Sequence, residues 1–393
     1  ESLYWDWREY ITERYEAQYE RVKARGEVNG KEIAGSRDME WEFRDPESRD
    51  AFMSKKRWEQ EWAKEKTGTY QWEPRISADG TMSGILNRGT VMVSPLERGQ
   101  MFQWTGYTPS EPAGLEEKAL NRVMFSADFE HGWDFVPGQE AIVLTGREDE
   151  HPRSALYDFT GIRFEADGYN WKQLYYYGMP TREKTVGNRT VETRARRGRV
   201  MEDGRNQVYE TDSWYAIPNT KRGSDPSVSP DGSQVAYFEY TDGVLNLVLI
   251  NIDGNNKRHL TSFDDGTWLQ TVDWSPDGEH LVFGIFRNHL QNLYTIRADG
   301  SDLKPIMWDG WEEMDAHWAH DGKIYFCAEP DGIFNIYSYD PESGDFLQIT
   351  NVIGGAMTPQ ISPEGDMIYT YYTAHGWKLY GLAKDQFMNA PAN

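Results

Sequence analysis

The residues best equipped for chemistry are two histidines three apart, His317 and His320, beside the carboxylates Asp273 and Asp315. Such a group could ligate a metal and assist hydrolysis or elimination on a polysaccharide. On a helix the two histidines would share a face, but here they bracket a step from strand to turn. A wider pattern surrounds them. Polar residues recur four positions before a turn, giving Arg75, Asp134, Ser227, Asp273, His317 and Gln360. Two positions earlier stand Glu73, Asp225, Thr271, Asp315 and Thr358. Residues two apart in a strand share a face, so the expectation is one polar face lining a central channel. Several carboxylates there would bind Ca²⁺ or a basic chain terminus. The plain alternative is a water-filled polar funnel with no ligand and no cofactor.

Other catalytic arrangements are missing from the sequence. No serine has glycine at both −2 and +2, so there is no nucleophile elbow. There is no phosphate loop and no dinucleotide-binding fingerprint. A single cysteine, Cys327, excludes a disulfide framework and a cysteine-based zinc site. Its setting, "KIYFCAE", predicts a buried strand thiol. "NRT" at Asn188 matches a glycosylation sequon. The basic run Arg194, Arg196, Arg197 and Arg199 reads as a solvated loop or a patch for an acidic partner.

The net charge of −23 argues against nucleic acid as a partner, because phosphate contacts need clustered positive charge. The longest clean apolar run, Val244 to Ile250, is far short of the roughly 20 residues of a membrane helix. Aromatic residues make up 14% of the chain, enough to build a core rather than a disordered coil. The chain opens at Glu1 rather than Met, which reads as a removed signal segment or a trimmed chain, and an exported protein is expected.

The elements that must position the polar residues repeat. "DPSVSPDGSQVAYF", "TVDWSPDGEHLVFG", "DAHWAHDGKIYFC" and "TPQISPEGDMIYTY" place turn acids at Asp231, Asp277, Asp321 and Glu364, at steps of 46, 44 and 43 residues. Each string is a short strand, an acidic-Gly turn and an alternating apolar strand, with glycine supplying the positive φ. Four strands per repeat of about 45 residues predict a β-propeller. Weaker copies lie at "EPRISADGTMSGIL" and "GWDFVPGQEAIVL". Pro137 and Pro230 are 93 residues apart, two periods, so a degenerate blade is expected between about 180 and 225. Seven blades follow, with six as the alternative. The last repeat has room for three strands, and its outer strand is expected from the N-terminal side, near 68–72 or 89–93.

These repeats resemble the TolB-like propeller repeat of bacterial envelope proteins. The resemblance rests on "SPDG" followed by "VAYF" or "LVFG", then "NLYTIRADG" or "FNIYSYDPESG". It is clear over Ser224 to Leu382 and weaker over Trp72 to Tyr177. Residues 1–66 do not match TolB's own N-terminal domain. The resemblance implies an all-β propeller at 67–393, an extracytoplasmic, periplasmic location and a protein-binding role. The same blades also serve as the lids of peptidases.

Residues 1–66 read as a helical arm. Tyr4, Trp7, Ile11, Tyr15, Tyr19 and Val22 recur at helical spacing, and Gly26 would end the helix. A second helix would carry Phe52, Trp58 and Trp62. The aromatic stripe either packs on its own propeller or docks on a neighbouring envelope protein. The reading is a non-catalytic scaffold subunit of an envelope or extracellular assembly. Its alternatives are a channel-sited metal-assisted lyase or hydrolase, and the propeller part of a longer peptidase or outer-membrane protein.

Overall fold

The computed structural model describes residues 2–34, 69–80, 82–87, 90–95, 132–139, 141–147, 172–178, 181–186, 189–194, 214–287, 289–306, 310–373 and 376–392. Among the described residues the fold is all-β apart from the helix α1 (Ser2–Arg25) and one turn of 3₁₀ helix. The expected second helix, with Trp58 and Trp62, lies outside the described residues.

Six inner strands are described: Thr69–Ile76, Trp133–Phe135, Gly223–Val228, Trp268–Trp274, Glu313–Trp318 and Ala356–Ile361. Each begins an antiparallel sheet, here numbered first to sixth in chain order. Each inner strand lies against the next, and the sixth lies against the first. No further blade stands between the second and third sheets among the described residues. Within the 93-residue step the described strands Trp133–Phe135, Ala141–Arg147, Lys172–Gly178 and Trp214–Ala216 form one sheet, and residues 195–213 of the expected blade lie outside the described residues. The hairpin Thr181–Val186 with Arg189–Arg194 forms a separate two-stranded ribbon.

One sheet cannot bury both of its faces alone. The core is therefore divided among the seams between sheets. Val143 and Leu174 pack with Val235 and Val248. Phe238 and Leu247 pack with Phe283. Val282 and Leu293 pack with Phe326, and Ile336 with Tyr369. Each such side chain contributes roughly 1.5–3 kcal/mol on burial. Cys327 is fully buried in its strand.

The acidic-Gly turns interlock as well. Ser229 Oγ donates to Asp231 Oδ1 at 2.6 Å, and the Ser233 amide donates to the same oxygen at 3.0 Å. These bonds hold the Asp231 carboxyl below the usual range. Around the ring, Gly80 faces Pro363, Gly232 faces Pro137 and Gly278 faces Pro230, each from the preceding sheet's turn.

The outer strand of the sixth sheet comes from the N-terminal side, but from Lys31–Ala34 rather than from 68–72 or 89–93. It pairs antiparallel with Gly376–Leu382. Thr69 and Tyr70 touch that strand only in a short parallel pair, and 90–95 is the third strand of the first sheet. The closing strand is pinned by Lys378 Nζ, buried and 3.0 Å from Glu32 Oε2. The Tyr369 hydroxyl donates to the Asn29 carbonyl just before it.

The turn interlock gives a controlled test. Gly138 and Gly232 have φ of +70° and +72°, but a Cβ on Gly138 meets open space while one on Gly232 lies 2.9 Å from the Pro137 carbonyl oxygen. Gly138→Ala should cost about 1 kcal/mol from the left-handed backbone alone. Gly232→Ala should cost about 3 kcal/mol, because backbone must also move. Urea denaturation of both variants measures the difference, and equal losses would show that the turns do not bear on one another.

Candidate functional site

The channel wall is shaped by a bulge repeated in the inner strands. Glu73, Asp225, Thr271, Asp315 and Thr358 all have positive φ, between 45° and 56°, and Gly132 at 113° takes the equivalent place in the second sheet. The pairing register slips at this point in five of the inner strands, for example between Trp72 and Arg75 and between Met357 and Gln360. An extra residue in a strand re-aims the side chains around it. Simple alternation would put residues 73 and 75 on one face, and the bulge separates the two layers.

The six bulge residues surround a small cavity that opens to solvent, and Arg75 lines it with them. Of the residues expected in the channel, Glu73, Arg75, Asp225, Thr271, Asp315 and Thr358 line this cavity. The wall thus sets three carboxylates against one guanidinium. Glu73 Oε2 accepts from the Gly132 amide at 3.0 Å, tying the first sheet to the second. Arg75 Nε donates to the Trp133 carbonyl at 3.2 Å. Burial pushes the Asp315 carboxyl up, and the charge of Glu73 adds to the effect. Burial, then Asp315, push the neighbouring Cys327 thiol up, so it is no nucleophile.

Asp134, Ser227, Asp273, His317 and Gln360 are not among the residues lining the cavity. The first four form a chain of bonds across sheet boundaries. Asp134 Oδ2 accepts from the Val228 amide at 2.8 Å. Ser227 Oγ donates to Asp273 Oδ1 at 3.2 Å. Asp273 Oδ2 accepts from the Trp318 amide at 2.9 Å and lies 2.7 Å from His317 Nδ1. Gln360 bonds only within its own strand, to the Pro359 carbonyl. Burial raises the Asp273 carboxyl, but the hydrogen bond and charge of His317, with Arg75 and the Trp318 amide, outweigh it and hold it low. Each carboxylate is thus committed to backbone donors in the next sheet.

An Asp–His pair of this geometry can orient an imidazole as a base or a metal ligand. His317 Nε2 is buried with no hydrogen-bond partner. Among the described residues, however, only the exposed Asp277 and Glu279 with the half-buried His280 bring three ligand atoms together, and Asp277 there already accepts from Ser275 Oγ and the Glu279 amide.

The second candidate surface is α1. Its last turns are fixed to the propeller. Gln18 Nε2 donates to the Asp331 carbonyl at 2.8 Å, and Asn351 Nδ2 donates to the Val22 and Gly26 carbonyls at 2.9 and 2.7 Å. Val22 is buried and Ile11 half-buried. On the same stripe Trp7 is 57% exposed, and Tyr15 and Tyr19 beside it are exposed. The stripe therefore begins on the propeller and runs off it. Tyr4 lies in α1, with its side chain outside the described residues. Sequence reasoning missed Gly132 as a wall residue, although "HGWDF" places it two before Asp134. It also missed Asn351, whose role depends on a contact more than 300 residues away.

The family model of the TolB β-propeller domain matches residues 188–386. An uncharacterized protein of Agrobacterium fabrum is 25% identical over 185 residues, 42% of this chain and 61% of that protein. An uncharacterized peptidase of Bacillus subtilis is 24% identical over 165 residues, 40% of this chain and 23% of the peptidase. A TolB homolog of Chlorobaculum tepidum is 36% identical over 99 residues, 25% of this chain and 21% of the homolog. The chain spans less than two thirds of the length of each of these relatives.

Asp134 supplies a pH test. Burial, opposed by Arg75 and reinforced by Asp273, pushes its carboxyl up to about 6 from an ordinary 3.8. The folded chain holds this proton more tightly than the unfolded chain. The associated stability is therefore full below about pH 4 and is lost as pH rises to about 6 and beyond. Urea midpoints across that window should fall with rising pH in the parent relative to Asp134→Asn. Parallel curves would show that Asp134 is not held protonated by the fold.

Proposed function

The chain belongs to the TolB β-propeller domain family, and on that premise we infer that it is a protein-binding, non-catalytic subunit of an extracytoplasmic envelope assembly. The observation that carries this reading is the aromatic stripe of α1. Its C-terminal end is fixed to the propeller by Val22, Gln18 and Asn351, while Trp7, Tyr10 and Tyr15 stand in solvent. An anchored helix with an unburied aromatic end loses little further freedom on binding, which favours docking in a partner's groove. The commitment of Asp134 and Asp273 to neighbouring backbone amides also supports a structural rather than a catalytic channel. Among the described residues no helix is long and apolar enough to cross a membrane.

A second reading has one observation in its favour, the buried His317 Nε2 without a partner. It would make the channel a metal-assisted site for polysaccharide cleavage. A stoichiometric transition metal lost in His317→Ala would support it.

The test of the main reading is recovery of defined partners from native envelopes by the parent and by Trp7→Ala/Tyr15→Ala. Both side chains are largely exposed, so the thermal midpoint should change by less than about 2 °C. Partner recovery should fall about tenfold or more, as for loss of aromatic anchors. Undiminished recovery would remove the arm from the interface, and a collapsed melt would make the stripe internal packing.

A further inference from the structure

The end of the propeller opposite the acidic-Gly turns carries its own pattern. In each antiparallel sheet the inner strand starts at this end and the hairpin between the second and third strands turns here. Register fixes which residues are equivalent. Val235, Leu281 and Met367 pair with Val228, Trp274 and Ile361. Five residues on from each stand Tyr240, Phe286 and Tyr372, all exposed. Trp268, 50% exposed, is the cross-strand partner of Phe286. The Trp377 ring lies 4.7 Å from that of Tyr372. Among the described residues, aromatic rings thus stand exposed at this end of three sheets, where apolar area in water favours a partner.

The charge at the same end has one dominant sign. Asp242 and Asp264 are exposed and have no ion-pair partner among the described residues. Glu312 and Glu329 are half-buried near each other, and burial, then the charge of Glu312, push the Glu329 carboxyl up. The cations near them are already used. Arg287 Nη2 lies 2.9 Å from Asp265 Oδ2, and Arg21 of α1 lies 3.7 Å from Asp331 Oδ1. Lys221 and Arg222, just before the third inner strand, are engaged as well. A cationic side chain arriving here would relieve the repulsion between Glu312 and Glu329 and could stack on the exposed rings.

We propose that this hairpin end is a docking surface for a basic segment of a partner protein, one that carries lysine or arginine beside apolar side chains. The proposal deepens the protein-binding reading and rests on it, but it concerns a surface distinct from Trp7 and Tyr15. Aromatic anchors supply the affinity, and the acids set the sign of the partner and its rate of arrival.

The probe is a labelled synthetic peptide of alternating lysine and leucine, with the glutamate–leucine peptide as control, followed by fluorescence anisotropy with the full chain. The lysine peptide should bind and the glutamate peptide should not. Trp268→Ala should weaken binding about tenfold. Asp264→Asn with Glu312→Gln should weaken it less and flatten its salt dependence. Trp7→Ala/Tyr15→Ala should bind the peptide as the parent does, which separates failure of this surface from failure of the arm. Equal binding of the two peptides would overturn the proposal, as would full affinity in Trp268→Ala/Phe286→Ala. Loss in Asp225→Asn with retention in Trp268→Ala would place the peptide in the channel and overturn it equally. If Trp268→Ala does not fold, Asp264→Lys at an exposed loop position carries the test, and undiminished binding there is decisive against the surface.

Discussion

A residue other than glycine held near φ +50° costs about 1–2 kcal/mol against extended backbone. Five of the inner strands contain one, and two of these, Thr271 and Thr358, are β-branched, for which the conformation is least natural. The cost is tolerated because the kink does two things that a straight strand could not. It turns one residue of each inner strand to the axis, and it presents the residue two further on to the adjoining sheet. The channel wall and the inter-sheet bonds are consequences of the same backbone choice.

Electrostatics then sorts the channel acids into two kinds. Asp134 and Asp273 receive amide hydrogen bonds across a seam, and Asp273 has the added support of His317. Satisfied in this way, a buried carboxylate can hold two sheets at a fixed separation. Glu73 also receives such a bond, while Asp315 sits close enough to it to feel its charge. Asp134 and Asp273 both accept backbone bonds yet shift in opposite directions, Asp134 up through burial and Asp273 down because burial is outweighed, chiefly by the hydrogen bond and charge of His317. The same logic explains why a cluster rich in Asp and His need not be an active site: its lone pairs are directed at the backbone.

The fold was legible where local chemistry and periodicity agree. The acidic-Gly turns, the alternating second strands and the helix ending before Gly26 all follow from short-range rules, and the structure contains them. The bulge was not legible, because Glu, Asp and Thr give no sign of a left-handed backbone; only Gly132 hinted at it. Strict alternation placed Asp134 and Asp273 on one face with the bulge residues, and it gave no sign that each would accept a backbone amide of the next sheet. Of the blade expected between about 180 and 225, Trp214–Ala216 joins the second sheet, Thr181–Val186 and Arg189–Arg194 form a separate ribbon, and residues 195–213 lie outside the described residues. The closing strand was missed because "KEIA" is four residues long with no turn chemistry of its own, and its identity depends on Gly376–Leu382 far along the chain.

That closing strand has a consequence for the order in which the molecule can be made. Glu32 and Lys378, which clasp it to the sixth sheet, are separated by 346 positions. Synthesis produces the first of them well before the second. Until then the last sheet lacks its edge, and α1 has no Asn351 to hold its final turn. Contacts of such long sequence separation form slowly, since the loop must close before they stabilise anything. A nascent chain would therefore present its N-terminal aromatic stripe to its surroundings before the surface that anchors it exists. The last sheet of this propeller is completed by a segment made long before it, acting in the manner of a clasp fastened at the end.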